Sequence, residues 1–130
     1  MSSDTITGLA LQFTDDNKHC YAYSGKIPVD GNETTLLEFE TLSSYIIANI
    51  QLEYYDASGD NMKYLVTIND VEVSVAILTG RTENWYNDMQ IILPKYSRIK
   101  ITGKNNSGAG IRSIGVTLTG KVGMPQRVGN

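Results

Sequence analysis

Tyr45-Ile46-Ile47-Ala48-Asn49-Ile50-Gln51-Leu52-Glu53-Tyr54-Tyr55 decides the fold class. Successive side chains of an extended strand point to opposite sides, so Ile46, Ala48, Ile50, Leu52 and Tyr54 share one face while Ile47, Asn49, Gln51 and Glu53 share the other. The stretch 45–55 therefore reads as a strand with one buried face. The same period recurs on either side of it. Leu37 and Phe39 mark 33–41, Tyr64, Val66 and Ile68 mark 62–68, and Val71, Val73, Val75 and Ile77 mark 71–78. Met89, Ile91 and Leu93 mark 88–93, Ile99 and Ile101 mark 97–103, and Ile114, Val116 and Leu118 mark 111–121. With the less regular 5–13 and 19–25, the chain is expected to hold eight or nine short strands whose apolar sets face a core. A helix has one candidate segment, around Thr79–Asn87.

Turn residues fall between these runs. Asp30-Gly31-Asn32, Asp56–Asn61 and Asn105–Gly110 are loops by composition. Asn69-Asp70 reads as a two-residue hairpin turn, because both residues tolerate the positive φ that such turns require. Eight antiparallel strands in two sheets suit a single jelly roll. An immunoglobulin-type sandwich competes with it, but the Cys…Trp…Cys spacing of antibody-like domains is missing, since Cys20 is the one cysteine. The expected organisation is a sandwich domain over 1–122 and an extended arm over 123–130, where Pro125 and the glycines replace the alternation.

Composition bounds the function. With 130 residues, 41% hydrophobic and 19% charged, the chain is one globular domain, neither disordered nor low in complexity. One cysteine excludes an intrachain disulfide framework, and one histidine, His19, excludes two-imidazole metal sites. No run approaches the roughly 18 apolar residues of a membrane span, and the first residues lack the basic start of a signal peptide, so cytoplasmic synthesis is expected. The net charge of −3 is unevenly spread: residues 1–94 carry all 14 acids and four bases, residues 95–130 seven bases and no acid. Either the basic third binds an acidic partner, or its strands neutralise acidic ones within the fold. Arg98, Lys100 and Thr102 alternate with Ile99 and Ile101, which predicts a solvent-facing basic row. A sequence pI near 5.0 argues against nucleic-acid binding.

No motif for catalysis or a cofactor is complete. Gly115–Val122 resembles a phosphate loop, yet Val122 stands where Ser or Thr must hold magnesium, and the segment lies within a predicted strand. Gly108–Ser113 lacks the third glycine of a dinucleotide fingerprint. His19 and Cys20 are strand neighbours expected on opposite faces, a poor geometry for a thiolate–imidazolium pair. Asp15-Asp16 could ligate a cation, act as paired carboxylates or form a polar turn before a strand. Asp56, Ser58, Asp60 and Asn61 offer oxygen donors for calcium, or serve a turn alone. Asn32 and Asn105 head glycosylation sequons that matter only in a secreted protein. Trp85, Tyr86 and the other tyrosines could be core, interface or sugar-stacking residues. A non-enzymatic protein without cofactor or metal is expected.

The hairpin Tyr64–Val73, the loop with Trp85, and Met89–Thr102 resemble small jelly-roll proteins that decorate or cement the capsids of tailed bacteriophages, or form their head fibres. The resemblance spans roughly residues 45–120. It implies a virion structural protein on the capsid exterior, commonly a trimer, bound to the major capsid protein or other virion proteins. Lys95, Arg98, Lys100 and Arg127 are then the candidate partner-binding residues. The alternative is a receptor- or carbohydrate-binding jelly-roll module, with Trp85 and Tyr86 as its aromatics.

Overall fold

A computed structural model describes residues 11–56, 58–79, 85–108 and 110–123, with the backbone alone at 85–87. The described chain is all-β. Its strands are β1 (Gln12–Phe13), β2 (His19–Tyr23), β3 (Ile27–Val29), β4 (Thr34–Glu40), β5 (Ile46–Tyr54), β6 (Asn61–Ile68), β7 (Val71–Thr79), β8 (Trp85–Leu93), β9 (Arg98–Asn105) and β10 (Arg112–Val122). One sheet runs β1-β2-β10-β5-β8, with β3 also on β10, and the other runs β4-β9-β6-β7. All pairs are antiparallel. The two sheets form a β-sandwich.

Burial follows the period expected for β5: Ile46, Ala48, Ile50, Leu52 and Tyr54 are buried and the intervening residues are not. In their own sheet Tyr54, Leu52 and Ile50 stand opposite Ile114, Val116 and Leu118 of β10. Leu37, Phe39, Met62, Tyr64, Val66, Ile99 and Ile101 of the facing sheet complete the core. Burying side chains of this kind supplies about 1.5–3 kcal/mol each, which makes the shared core the main stabilising element. The hairpin turn is formed as its residues dictate, with Asn69 at φ 52° and Asp70 at φ 69°.

The structure departs from the sequence reading in four places. The described residues hold ten strands where eight or nine are expected, and β3 is hidden in the sequence by Pro28; a proline is tolerated there because, among the described residues, β3 pairs on one side only, with β10. Of the segment 5–13, Gln12–Phe13 is strand and 5–10 lies outside the described residues. The candidate helix is replaced where it is described, since Thr79 ends β7 and Trp85 opens β8, with 80–84 outside the described residues. Most consequentially, β7 is turned over. Val71, Val73, Val75 and Ile77 are exposed, and the side chains directed inward are Ser74, Ala76 and Leu78. A shift of register at Val66/Thr67 sets this phase: Val66 opposes Ser74, while Thr67 opposes Glu72 and Val73 bulges. Ser74 and Ala76 are small where β8 lies close, with the Ser74 hydroxyl 3.6 Å from Met89 Sδ.

Candidate interaction surface

Two poles of the sandwich carry the loops, and they differ in chemistry. At one pole Asp60 accepts from Arg112 Nε at 2.9 Å and from Asn105 Nδ2 at 3.2 Å, and Asp56 accepts from the Ser113 amide at 2.8 Å. Of the oxygens considered for calcium, those of Asp56 and Asp60 thus fasten the β5–β6 loop to β9 and β10, and no cluster of three or more His, Cys, Asp or Glu side chains placed to hold a metal occurs among the described residues. Asn105 is itself buried and donates to the Gly110 carbonyl, so its amide is committed to the fold rather than to a glycan.

The other pole displays apolar side chains. Its 94–97 turn is joined to the segment after β4: Thr41 Oγ1 donates to the Pro94 carbonyl at 2.6 Å and accepts from the Ser97 amide at 2.8 Å, and the Tyr96 amide donates to the Leu42 carbonyl. These bonds hold Tyr96 at φ 53°, a region that bulky residues rarely occupy. Tyr96 is 71% exposed and its neighbour Leu42 65%, with Lys95 exposed beside them. An open cleft of about 520 Å³ adjoins them, lined by Phe13, Asp16, Lys18, Leu42, Ile46 and Val122 among others. Gly123 is fixed at this pole by donating to the Tyr45 carbonyl at 2.8 Å, and a side chain there would run into the Tyr45 ring. Residues 124–130, most of the expected arm, and Arg127 with them, lie outside the described residues.

Comparison of the chain with protein-family models and with curated proteins gives a plain result. None matches.

Arg98 and Lys100 of the expected basic row lie on the outer face of β9 beside acidic side chains. Arg98 forms an ion pair with Asp70 at 2.6 Å and stands opposite Glu40, and Lys100 stands opposite Glu38. Thr102 is buried, so it does not continue a solvent-facing row. Acidic β4 thus lies beside basic β9, while Lys95 stands at the apolar pole. Trp85 and Tyr86 lie on β8 opposite Tyr54 and Glu53, with their side chains outside the described structure. The aromatic pair that is described is another one: Tyr21 and Tyr23 stack at 5.3 Å on β2.

The remaining candidates have structural occupations. Asp16 accepts from Thr14 Oγ1 at 2.7 Å and from the Lys18 amide, and these bonds hold its carboxyl below the usual range while closing the β1–β2 turn. Gly115–Val122 lies inside β10. His19 is exposed and Cys20 buried, and burial pushes the Cys20 thiol up to about 11 from 9.0. Burial, aided by the hydrogen bond to Glu53, pushes Tyr55 up to about 12 from 10.0, and burial raises Tyr64 further. In each case the native state keeps a proton that the unfolded chain releases, so stability is full below pH 9 and is lost as pH rises past it. Urea unfolding at successive pH values should show the midpoint falling above pH 9, with tyrosinate absorbance from Tyr55 and Tyr64 appearing only on unfolding. A midpoint that is flat to pH 11 would remove this contribution.

Proposed function

We propose that this chain is a non-enzymatic jelly-roll protein that decorates the exterior of a bacteriophage capsid, attaching by the apolar pole and the arm that leaves it. Strand pairing supports the jelly-roll part. With β1 and β3 set aside, the first strand pairs with the last (β2–β10), the second with the seventh (β4–β9), the third with the sixth (β5–β8) and the fourth with the fifth (β6–β7). Such nesting is that of a two-stranded ribbon wound into two Greek keys. The observation that carries the attachment is the display of Leu42 and Tyr96 on a hydrogen-bonded turn, at the pole where Gly123 hands the chain to residues 124–130. Exposed apolar side chains on a rigid turn lose little entropy on docking, while an arm can order on a neighbour at a cost offset by the area it buries. The protein would be made in the host cytoplasm and reside on the virion.

Co-sedimentation with undecorated capsids tests the proposal. The full chain should pellet with the shells, and removal of 124–130 should weaken binding without lowering the melting temperature. Leu42→Glu with Tyr96→Glu should weaken it at least about tenfold, the loss expected for truncating anchors of this kind. Salt should weaken it only modestly, because Arg98 and Lys100 face acids of their own fold. No binding by any form would reject the reading. A carbohydrate- or receptor-binding module is the second reading, favoured by the Tyr21–Tyr23 stack beside Thr117 and Thr119 of β10. Glycan binding abolished by Tyr23→Ala or Trp85→Ala would put it first.

A further inference from the structure

We propose that β7 is a self-pairing edge, through which two copies of this chain join their four-stranded sheets antiparallel about a two-fold axis at Val75. The inference concerns a surface away from the apolar pole and does not rest on the capsid reading. Among the described residues β7 pairs on one side only, with β6, so its other side presents free backbone donors and acceptors. Proteins usually blunt such an edge with lysine, proline or a bulge. β7 contains neither lysine nor proline, and its bulge sits at the turn end, leaving Ser74–Thr79 regular.

The face beside this edge is apolar and is not covered by the facing sheet. Val75 opposes Leu65 on β6, and Leu65, though only 9% exposed, lies outside the core cluster; it is on the outer face with Val73 and Ile77. Charge favours a second copy as the partner. Lys63 opposes Ile77 on one side and stands directly across from Lys104 on the other, a like-charge pair with no ion-pair partner among the described residues. Glu72 opposes Thr67 on the same outer face and is likewise without an ion-pair partner among the described residues.

Pairing centred on Val75 sets Val75 against its own copy and Val73 against Ile77 of the other. Glu72 then lies across one strand from the second copy's Lys63, a span of about 10 Å between backbones that a lysine and a glutamate close together. A two-fold axis repeats every contact, which is what an isologous interface demands. Shifting the register so that Val75 faces Ile77 of the other copy moves the second Lys63 three residues along the strand from Glu72. The shared strip is about 30 Å long, which places the interface at the small end of specific ones and the affinity in the micromolar range.

Sedimentation equilibrium of the full chain from about 1 µM to about 1 mM, with amide exchange followed along β7, tests this. A monomer–dimer equilibrium is expected, with β7 amides protected as dimer forms. Val75→Lys puts two ammonium groups at the axis and should raise the dissociation constant at least about 100-fold without changing the melting temperature. Lys63→Glu and Glu72→Lys should each weaken the dimer, and the double exchange should restore it, a rescue that decides the matter even if Val75→Lys disturbs the strand. Ile92→Lys, on the outer face of the other sheet, should change nothing. A monomer at all concentrations, a trimer, a dimer indifferent to Val75→Lys in a folded protein, or failure of the double exchange to rescue would each overturn the proposal.

Discussion

Ile50→Ala should lower the melting temperature by roughly 8–20 °C, corresponding to a loss of about 2–5 kcal/mol. Ile50 is fully buried in mid-β5, with Leu118 of β10 on one side and Met89 of β8 on the other. It belongs to the row that faces the second sheet, so alanine removes its transfer energy and leaves a cavity between two hydrogen-bonded layers that cannot close over it. Ile47→Ala supplies the internal control. Ile47 is on the same strand and of the same type, but 38% exposed on the opposite face, and its truncation should matter far less. Thermal and urea unfolding of both variants give the comparison; equal losses would contradict the facing of β5.

Gly115→Ala is the second large effect, with the smallest possible change of side chain. A methyl group at Gly115 would lie 2.7 Å from the Gly25 carbonyl oxygen and 3.2 Å from the Tyr55 ring. The Gly25 carbonyl cannot easily retreat. Ser24 donates its amide to the Val116 carbonyl at 3.0 Å and accepts from the Val116 amide on its hydroxyl at 2.8 Å, so the β2–β3 turn is fastened to β10 one residue away. Overpacking of this kind costs about 1–3 kcal/mol, or roughly 4–12 °C in melting temperature. Gly59→Ala, where nothing lies within 4 Å, should shift stability by no more than about 0.5 kcal/mol. If the two alanine variants melt together, the turn yields and the packing argument fails.

The two substitutions also mark what the sequence could and could not disclose. Alternation at 45–55 located β5 and identified its buried face, because the opposite face carries Asn49, Gln51 and Glu53 and leaves no ambiguity. At 71–79 the same rule located the strand but inverted it. Both sets there are uncharged apart from Glu72, so the period is legible while its phase is not; the phase is fixed by the bulge opposite Val66/Thr67 and by the closeness of Met89. Pairing partners were equally out of reach. The charge asymmetry was visible, but that β9 would lie against Glu38 and Glu40 is a property of sheet order, not of spacing. The apolar pole depends on bonds between residues more than 50 positions apart, such as Thr41 with Pro94 and Ser97, and had no local signal beyond Leu42 and Tyr96 being apolar in turns.

β10 holds the larger sheet together, since β2, β3 and β5 all hydrogen-bond to it. It is also the last strand of the described chain to leave a ribosome. Until Arg112–Val122 has emerged, β5 has only β8 beside it in its sheet, and β2 and β3 have no strand joining them to β5. A nascent chain in that condition exposes the apolar row of β5, with its long-range contacts still to be made. The larger sheet is therefore completed late, when the last of the described strands enters the middle of a sheet whose other members were made first.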